Sequence, residues 1–225
     1  MKKNVDLLVD ISPEKYETFA IKATAPWNEH LKNRIQSELQ GVASPAKRLL
    51  DAGMGTGHML FELLNVEELK NYKFCGVDLD PAMVNFCQQK VKKTGLQEKI
   101  SLCCASISDL PYADGSFALV YARSVIHHWA EPEKGLQELC RIIDSGGVVI
   151  IHEPLANPEA AALKIFNDNR AKCDVKPMST EEKYTIEQLE AMLIKCRSVD
   201  IEYNIKIGEG IAALGCEIRI TRKPL

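Results

Sequence analysis

Three glycines at alternate positions, Gly53, Gly55 and Gly57, follow an apolar run that ends in Asp51, and helix-forming residues follow them. Glycine accepts positive φ and leaves room for a ligand to approach the main chain. A helix that opens directly after such a turn aims its unsatisfied N–H groups at whatever lies over it. The pattern reads as strand, tight turn and helix, a cradle for a nucleotide or nucleoside. Its spacing excludes two common cradles. The dinucleotide fingerprint puts its third glycine three residues after the second, where this chain has His58. The phosphate-binding P-loop needs a Lys-Ser or Lys-Thr pair, and none follows.

A carboxylate stands at the matching distance. Asp78 ends the apolar run 72–78, 21 residues past Gly57, close to where a βαβ unit presents an acid to the two ribose hydroxyls of a bound nucleoside. Leu79 and Met83, just beyond it, are placed to cover a base. Farther on, His127-His128-Trp129 follows the apolar run 118–122. Imidazoles are the side chains that titrate near neutrality, and the carboxyl ends of parallel strands are where open α/β sheets bind ligands.

These groups need strands and helices in alternation to bring them together, and the periodicity supplies them. Residues 12–24 and 26–40 have helical spacing, the first opened by Ser12-Pro13-Glu14 and the second closed by Gly41. Large side chains there, Tyr16, Phe19 and Trp27, either pack or close a pocket. A helix follows the glycine turn over 58–69; strands are expected at 72–78, 100–104, 118–122 and 148–152. Asp80-Pro81 opens a helix ending at Thr94-Gly95, with Lys90, Lys92 and Lys93 on a solvated face, and Pro132-Glu133 opens another that ends before Gly146-Gly147. Residues 153–184 are the least regular, with Pro154, Pro158 and Pro177 around a helical stretch near 159–171. Thr185 and Gln188 form a capping box for a helix to about Lys195, before strands over 198–206 and 212–221. The result is an α/β, doubly wound, mostly parallel seven-stranded sheet with helices on both faces.

Composition narrows the partners. A chain of 225 residues with 46% hydrophobic content fits one domain. A net charge of −3 disfavours nucleic acid or an anionic membrane as principal partner and leaves a small solute as the default. No apolar stretch reaches the ~20 residues of a membrane span, and Met1 to Asp6 lacks the features of a secretory leader, so the expected location is cytoplasmic. Eight cysteines contain no C-x-x-C pair, and Cys103 and Cys104 are adjacent. They read mostly as small buried hydrophobes in a reducing compartment, with no zinc.

The alternating glycines behind Asp51, Asp78, the segment Ser106 to Phe117 leading by a turn into a strand, and His-His-Trp before a helix and a Gly-Gly turn resemble class I S-adenosylmethionine-dependent methyltransferases. The likeness is to the UbiE-like kind that acts on small molecules, and it covers about residues 46–222. It implies a Rossmann-like sheet whose last strand runs antiparallel, S-adenosylmethionine as cofactor, and a small-molecule methyl acceptor whose reacting atom (O, N, C or S) stays open. It assigns the cofactor to Asp51, Gly53, Gly55, Gly57, Asp78, Leu79, Met83, Ser106, Ile107 and Tyr121. The acceptor pocket falls to Tyr16, Trp27, Arg123 and Glu153, and catalysis to His127 and His128, with His127 facing the pocket and His128 orienting the loop. By the same resemblance, residues 1–45 cover the site, 46–152 bind the cofactor, 153–184 cover the substrate and 185–225 form the terminal helix and strand pair.

Two departures matter. The family usually carries an Asp five residues before the Leu-Pro proline, to accept from the adenine amino group; here that position is Ser106, which is uncharged, so adenine recognition leans on the Ile107 backbone and on packing. Metal-dependent relatives use Glu-x-x-Glu-His after the fourth strand. With the last histidine aligned on His128, Ser124 and His127 replace both carboxylates, so the site is expected to be metal-independent. The residues leave two alternatives: a non-catalytic S-adenosylmethionine-binding subunit, and a nicotinamide-dependent oxidoreductase.

Overall fold

Five apolar-rich residues, Arg48–Ala52 (β1), form an interior strand of a seven-stranded sheet, flanked by a parallel strand on each side. The computed structural model describes residues 11–196 and 198–224, and the reading of Met1 to Asp6 as leader-free lies outside the described residues. The other strands are Lys73–Asp78 (β2), Ile100–Cys104 (β3), Phe117–Arg123 (β4), Ile143–Pro154 (β5), Ile201–Ile207 (β6) and Gly215–Arg222 (β7). Their order is β3-β2-β1-β4-β5-β7-β6, and β7 runs antiparallel to both β5 and β6 while the remaining pairs are parallel.

Among the described residues seven α-helices accompany the sheet: Pro13–Lys22 (α1), Ala25–Leu39 (α2), His58–Leu63 (α3), Pro81–Thr94 (α4), Pro132–Ile142 (α5), Ala160–Ala171 (α6) and Ile186–Ile194 (α7). Alternate residues of each strand face opposite sides, so Leu49 and Leu50 belong to different cores. On one face pack Leu31 and Ile35 of α2, Leu60 and Leu63 of α3, and Val84 and Val91 of α4. Leu136 and Leu139 of α5, with Leu189 and Leu193 of α7, cover the other.

Local chemistry starts and stops the helices as expected. Ser12 caps α1 by accepting from Lys15 N at 3.3 Å, Asp80 caps α4 by accepting from Ala82 N at 2.8 Å, and Thr185 with Gln188 completes a reciprocal box on α7. Gly95 closes α4 with φ +69°. The boundaries that moved have physical causes. α3 ends at Leu63 rather than 69, because Val66 turns extended and the remaining residues form one 3-10 turn, Glu67–Leu69. β5 begins at Ile143, which pairs with Phe117 through a register shift ahead of the regular ladder. The terminal strands start later than expected, and Gly210–Leu214 is a 3-10 turn between them.

α2 is strapped to the antiparallel end of the sheet: Arg34 donates to Glu217 at 2.9 Å, and Arg219 donates to Glu38 at 2.9 Å. No helix among the described residues is long and apolar enough to cross a membrane. Cys75, Cys87, Cys140, Cys196 and Cys216 are buried as expected, whereas Cys103 and Cys173 are half-buried and Cys104 is exposed at the end of edge strand β3.

Gly76 in β2 shows how tightly helices and sheet fit. A Cβ there would stand 2.9 Å from Leu60 Cδ1 and 3.0 Å from Leu102 Cδ2. Gly76→Ala is therefore expected to destabilise the fold by ~1–3 kcal/mol through overpacking, read as a lower urea midpoint at unchanged slope. An unchanged midpoint would show that α3 and β3 give way freely.

Candidate functional site

The cleft, about 1230 Å³ in volume, opens at the carboxyl ends of β1, β2, β4 and β5, across the point where strand order reverses between β1 and β4. At its floor Gly53, Gly55 and Gly57 take φ of +82°, +54° and +74°. Gly55 N donates to Asp78 Oδ2 at 2.7 Å, and Asp80 N donates to Oδ1 at 2.9 Å. Each oxygen keeps a further lone pair for a ligand. A Cβ on Gly55 would stand 2.7 Å from Tyr16 Cε1, so the tyrosine ring roofs the turn.

A latch holds that roof in place. Glu17, next to Tyr16 on α1, accepts from the Thr56 hydroxyl of the turn and from Lys90 Nζ at 2.6 Å, and Lys90 also donates to Thr56 O at 3.3 Å. Lys90 is thus a tie between α4, α1 and the glycine turn, a correction to its expected place on a solvated face. Lys92 and Lys93 are exposed.

Beneath the turn, Asp51 pairs in register with Tyr121 and accepts from its hydroxyl at 2.9 Å. Burial pushes the Asp51 carboxyl up to about 7; the Tyr121 bond and Arg123 pull it down, and the Asp78 charge pushes it up. Arg123 ends β4 beside Asp51 and Tyr16, and its Nη2 donates to Thr24 Oγ1 at 3.2 Å. No carboxylate among the described residues pairs with it. Burial pushes its guanidinium below the ordinary value, against the pull of Tyr16 and Asp51.

The loop after β4 is organised by one carboxylate from β5. Glu153 Oε2 accepts from Val125 N at 3.0 Å and Ile126 N at 3.1 Å, while Oε1 accepts from His127 N at 3.2 Å and meets His127 Nδ1 at 2.5 Å. Burial alone would push the Glu153 carboxyl up, but His127 and the backbone N–H groups hold it below the usual carboxylate range. An ionised carboxylate only accepts, so Nδ1 carries a hydrogen; in the neutral ring the lone pair is then on Nε2. The His128 ring lies 4.1 Å from that of His127. Burial pushes His128 down to about 3, with His127 and Lys183 adding to the effect, so it is neutral near pH 7. Loop orientation, expected of His128, rests on Glu153.

Aromatic walls form the outer half. Trp27 Nε1 donates to Ile211 O at 2.9 Å, Phe166 meets the Trp27 ring edge-on at 4.9 Å, and Arg170 lies over Phe19 at 5.2 Å. Lys15 of α1 pairs with Asp174 at 3.2 Å across the mouth. Tyr184 O accepts from Ala156 N at 2.9 Å, which brings half-buried Lys183 to the cleft beside the end of β5.

Of the residues singled out from sequence, Gly53, Gly55, Asp78, Leu79, Met83, Ile107, Tyr16, Trp27, Arg123, Glu153, His127 and His128 line this cleft. Asp51 and Tyr121 lie under the turn, and Gly57 packs against Cys87. Ser106 does not reach the cleft wall; its hydroxyl accepts from Ser108 N at 3.3 Å within its own turn. Glu17, Thr24, Phe166, Arg170 and Lys183 had no motif to mark them, since each acts through a partner distant in sequence.

Strand order separates the fold from the dinucleotide-binding sheet, which ends β5-β6 without an antiparallel strand between them. It is the architecture of class I S-adenosylmethionine-dependent methyltransferases, and residues 50–151 match the methyltransferase domain family. The matched segment runs from strand β1 through the glycine turn, Asp78 and His127 into β5, and the likeness to that family is confined to it. Among individual relatives, demethylmenaquinone methyltransferase of Bacteroides fragilis is 33% identical over 118 residues, 52% of this chain and 47% of that one. Ajmaline N-methyltransferase of Rauvolfia serpentina is 31% identical over 105 residues, 47% of this chain and 35% of that one. The chain therefore spans less than half the length of these relatives. An S-adenosylmethionine-dependent methyltransferase structure from Methanococcus maripaludis superposes with a TM-score of 0.69 at 17% identity, covering 95% of this chain and 93% of that one.

Asp51 gives the site a measurable signature. A carboxyl held near 7 binds its proton more tightly folded than unfolded, so its contribution to stability is complete below 3.8 and is lost as pH rises through about 7. Asp51→Asn removes that dependence. Urea unfolding is expected to show the variant gaining stability relative to the native chain between about pH 5 and about pH 7.5. Parallel pH profiles for the two proteins would show that Asp51 stays ionised throughout.

Proposed function

We propose that the chain transfers a methyl group from S-adenosylmethionine to a small-molecule acceptor. One observation carries the reading: the glycine turn, with Asp78 bonded to Gly55 N, forms a nucleoside cradle at the topological switch point of a methyltransferase-family segment. The remaining lone pairs of Asp78 take the ribose hydroxyls, Leu79, Met83 and Ile107 flank the adenine, Asp51, Gly53 and Tyr121 shape the floor, and Gly57 serves the cofactor by completing the turn at positive φ. With Ser106 engaged in its own turn, polar contact to the adenine falls to the Ile107 backbone.

When bound, the cofactor supplies an activated methyl group on a sulfonium, so the protein is asked chiefly for alignment. Glu153 holds His127 in the tautomer that offers Nε2 to an acceptor, the same division of labour by which a carboxylate orients a histidine base elsewhere. His127 takes the proton an acceptor must lose; His128, held near 3, is a poor base at neutral pH and serves as wall. Ser124 and His127 stand where metal-dependent relatives have carboxylates, so the reaction is metal-independent. Trp27, Phe166 and Phe19 suit an acceptor with a flat apolar body, and residues 153–184 cover it. The relatives are named for a demethylmenaquinone and for N-methylation of ajmaline, so the acceptor atom stays open. The cytoplasmic location expected from the sequence belongs to the same proposal.

The first test is mass spectrometry of the purified protein for a retained nucleoside, followed by a methyl-transfer screen over small-metabolite pools. Asp78→Ala removes bonds to a charged group and should weaken S-adenosylhomocysteine binding about ten- to a hundredfold by calorimetry. An unchanged dissociation constant would take Asp78 out of the site. His127→Ala should lower kcat by ~10²-fold or more with cofactor affinity little altered. Near-normal turnover would reduce His127 to packing, and activity abolished by a chelator and restored by magnesium would defeat the metal-free reading.

A further inference from the structure

The cradle and the His127–Glu153 pair leave one half-buried charge in the cleft without a task. Arg123 is flanked by Tyr16 and Asp51, and of its five donors a single one is engaged, Nη2 to Thr24 Oγ1 at 3.2 Å. The α1–α2 junction positions that contact rather than neutralising it: Thr24 Oγ1 donates to Ala20 O at 2.8 Å, and Asn28 Nδ2 donates to the same carbonyl at 2.8 Å. Asp51 is a weak counter-ion, since its own carboxyl sits near 7. The Tyr16 hydroxyl is close enough to feel the charge of Arg123. A guanidinium partly withdrawn from water without an anion costs stability, and its planar fork matches a carboxylate.

Place in the fold says which anion. Asp78 marks the ribose side of the glycine turn, at the end of β2, and Arg123 lies on the opposite side, at the end of β4. Gly53, Tyr16 and Arg123 line both the main cleft and the small recess under the turn. The aromatic acceptor walls lie farther out, on α2 and α6. A tail leaving the ribose toward β4 crosses Gly55 and Gly53 and reaches Arg123. We propose that Arg123, with the Tyr16 hydroxyl beside it, receives the α-carboxylate of the cofactor's amino-acid tail and makes the site selective against nucleosides that lack it. This rests on S-adenosylmethionine being the cofactor. It moves Arg123 from the acceptor pocket, where the family likeness put it, to the cofactor.

Calorimetry with two ligands separates the claims: S-adenosylhomocysteine, and its analogue lacking only the carboxylate. The native chain should prefer the first by about ten- to a hundredfold. Arg123→Met should bind the analogue as the native chain does and hold the preference to within about threefold; Arg123→Lys, which keeps the charge but loses the fork, should fall between. Equal binding of both ligands to the native chain overturns the inference, as does a preference that survives in Arg123→Met. Should the methionine variant fail to fold, the native comparison and the lysine variant decide. If neither nucleoside binds the native chain, the cofactor reading itself falls, an outcome distinct from binding without discrimination.

Discussion

The hydrogen bond from Gly55 N to Asp78 Oδ2 joins two strand ends that the parallel sheet would otherwise leave as independent loops. It requires Gly55 at positive φ, which a side chain resists, and it places the acid that ends β2 over the turn that ends β1. Much of the surrounding structure answers to that constraint. Val77 O accepts from both Gly53 N and Met54 N, at 2.9 and 3.0 Å, so the turn is fastened to β2 before it reaches Asp78. Tyr16 can lie against Gly55 because no Cβ stands there, and the Glu17 latch then fixes α1 on top.

A second carboxylate does for the far wall what Asp78 does for the floor. Glu153 is withdrawn from water and bonded to three consecutive backbone N–H groups, a set of donors resembling that of an anion-binding helix start. Such a group is stable buried only as a member of a satisfied network. Its bond to His127 Nδ1 therefore comes as part of the loop's architecture: the same oxygen that accepts from the His127 backbone orients the ring.

Reading this chain from residues alone succeeds where a signal is local. Helix caps, Gly95, the alternating glycines and the distance to Asp78 are each decided within a few turns of chain, and all seven strands were legible from apolar runs and turn residues. Contacts between distant segments were not. Lys90 has the composition of a solvated helix face, and only the approach of Glu17, 73 residues earlier, makes it a tie. Ser106 stands at a family position, but its hydroxyl is drawn to Ser108 N by the local turn, which alignment does not reveal. Glu153 reads from sequence as a strand-end acid facing a pocket; its service to the preceding loop depends on the parallel pairing of β4 with β5.

The reversed strand β7 has a consequence for how this scaffold can vary. A parallel strand needs a crossover of a dozen or more residues to return to the sheet, whereas antiparallel strands join through a short connection. β6 and β7 are joined in this second way, closed by Gly208 N donating to Gly215 O at 3.0 Å, and the connection lies at the cleft, where Gly208, Ala212 and Leu214 form part of the wall. The wall beside Trp27 is thus made by a hairpin end rather than by a strand-to-helix loop of the parallel core. Insertions or substitutions there can reshape the acceptor end of the cleft without shifting the register of the strands that hold the glycine turn and Asp78.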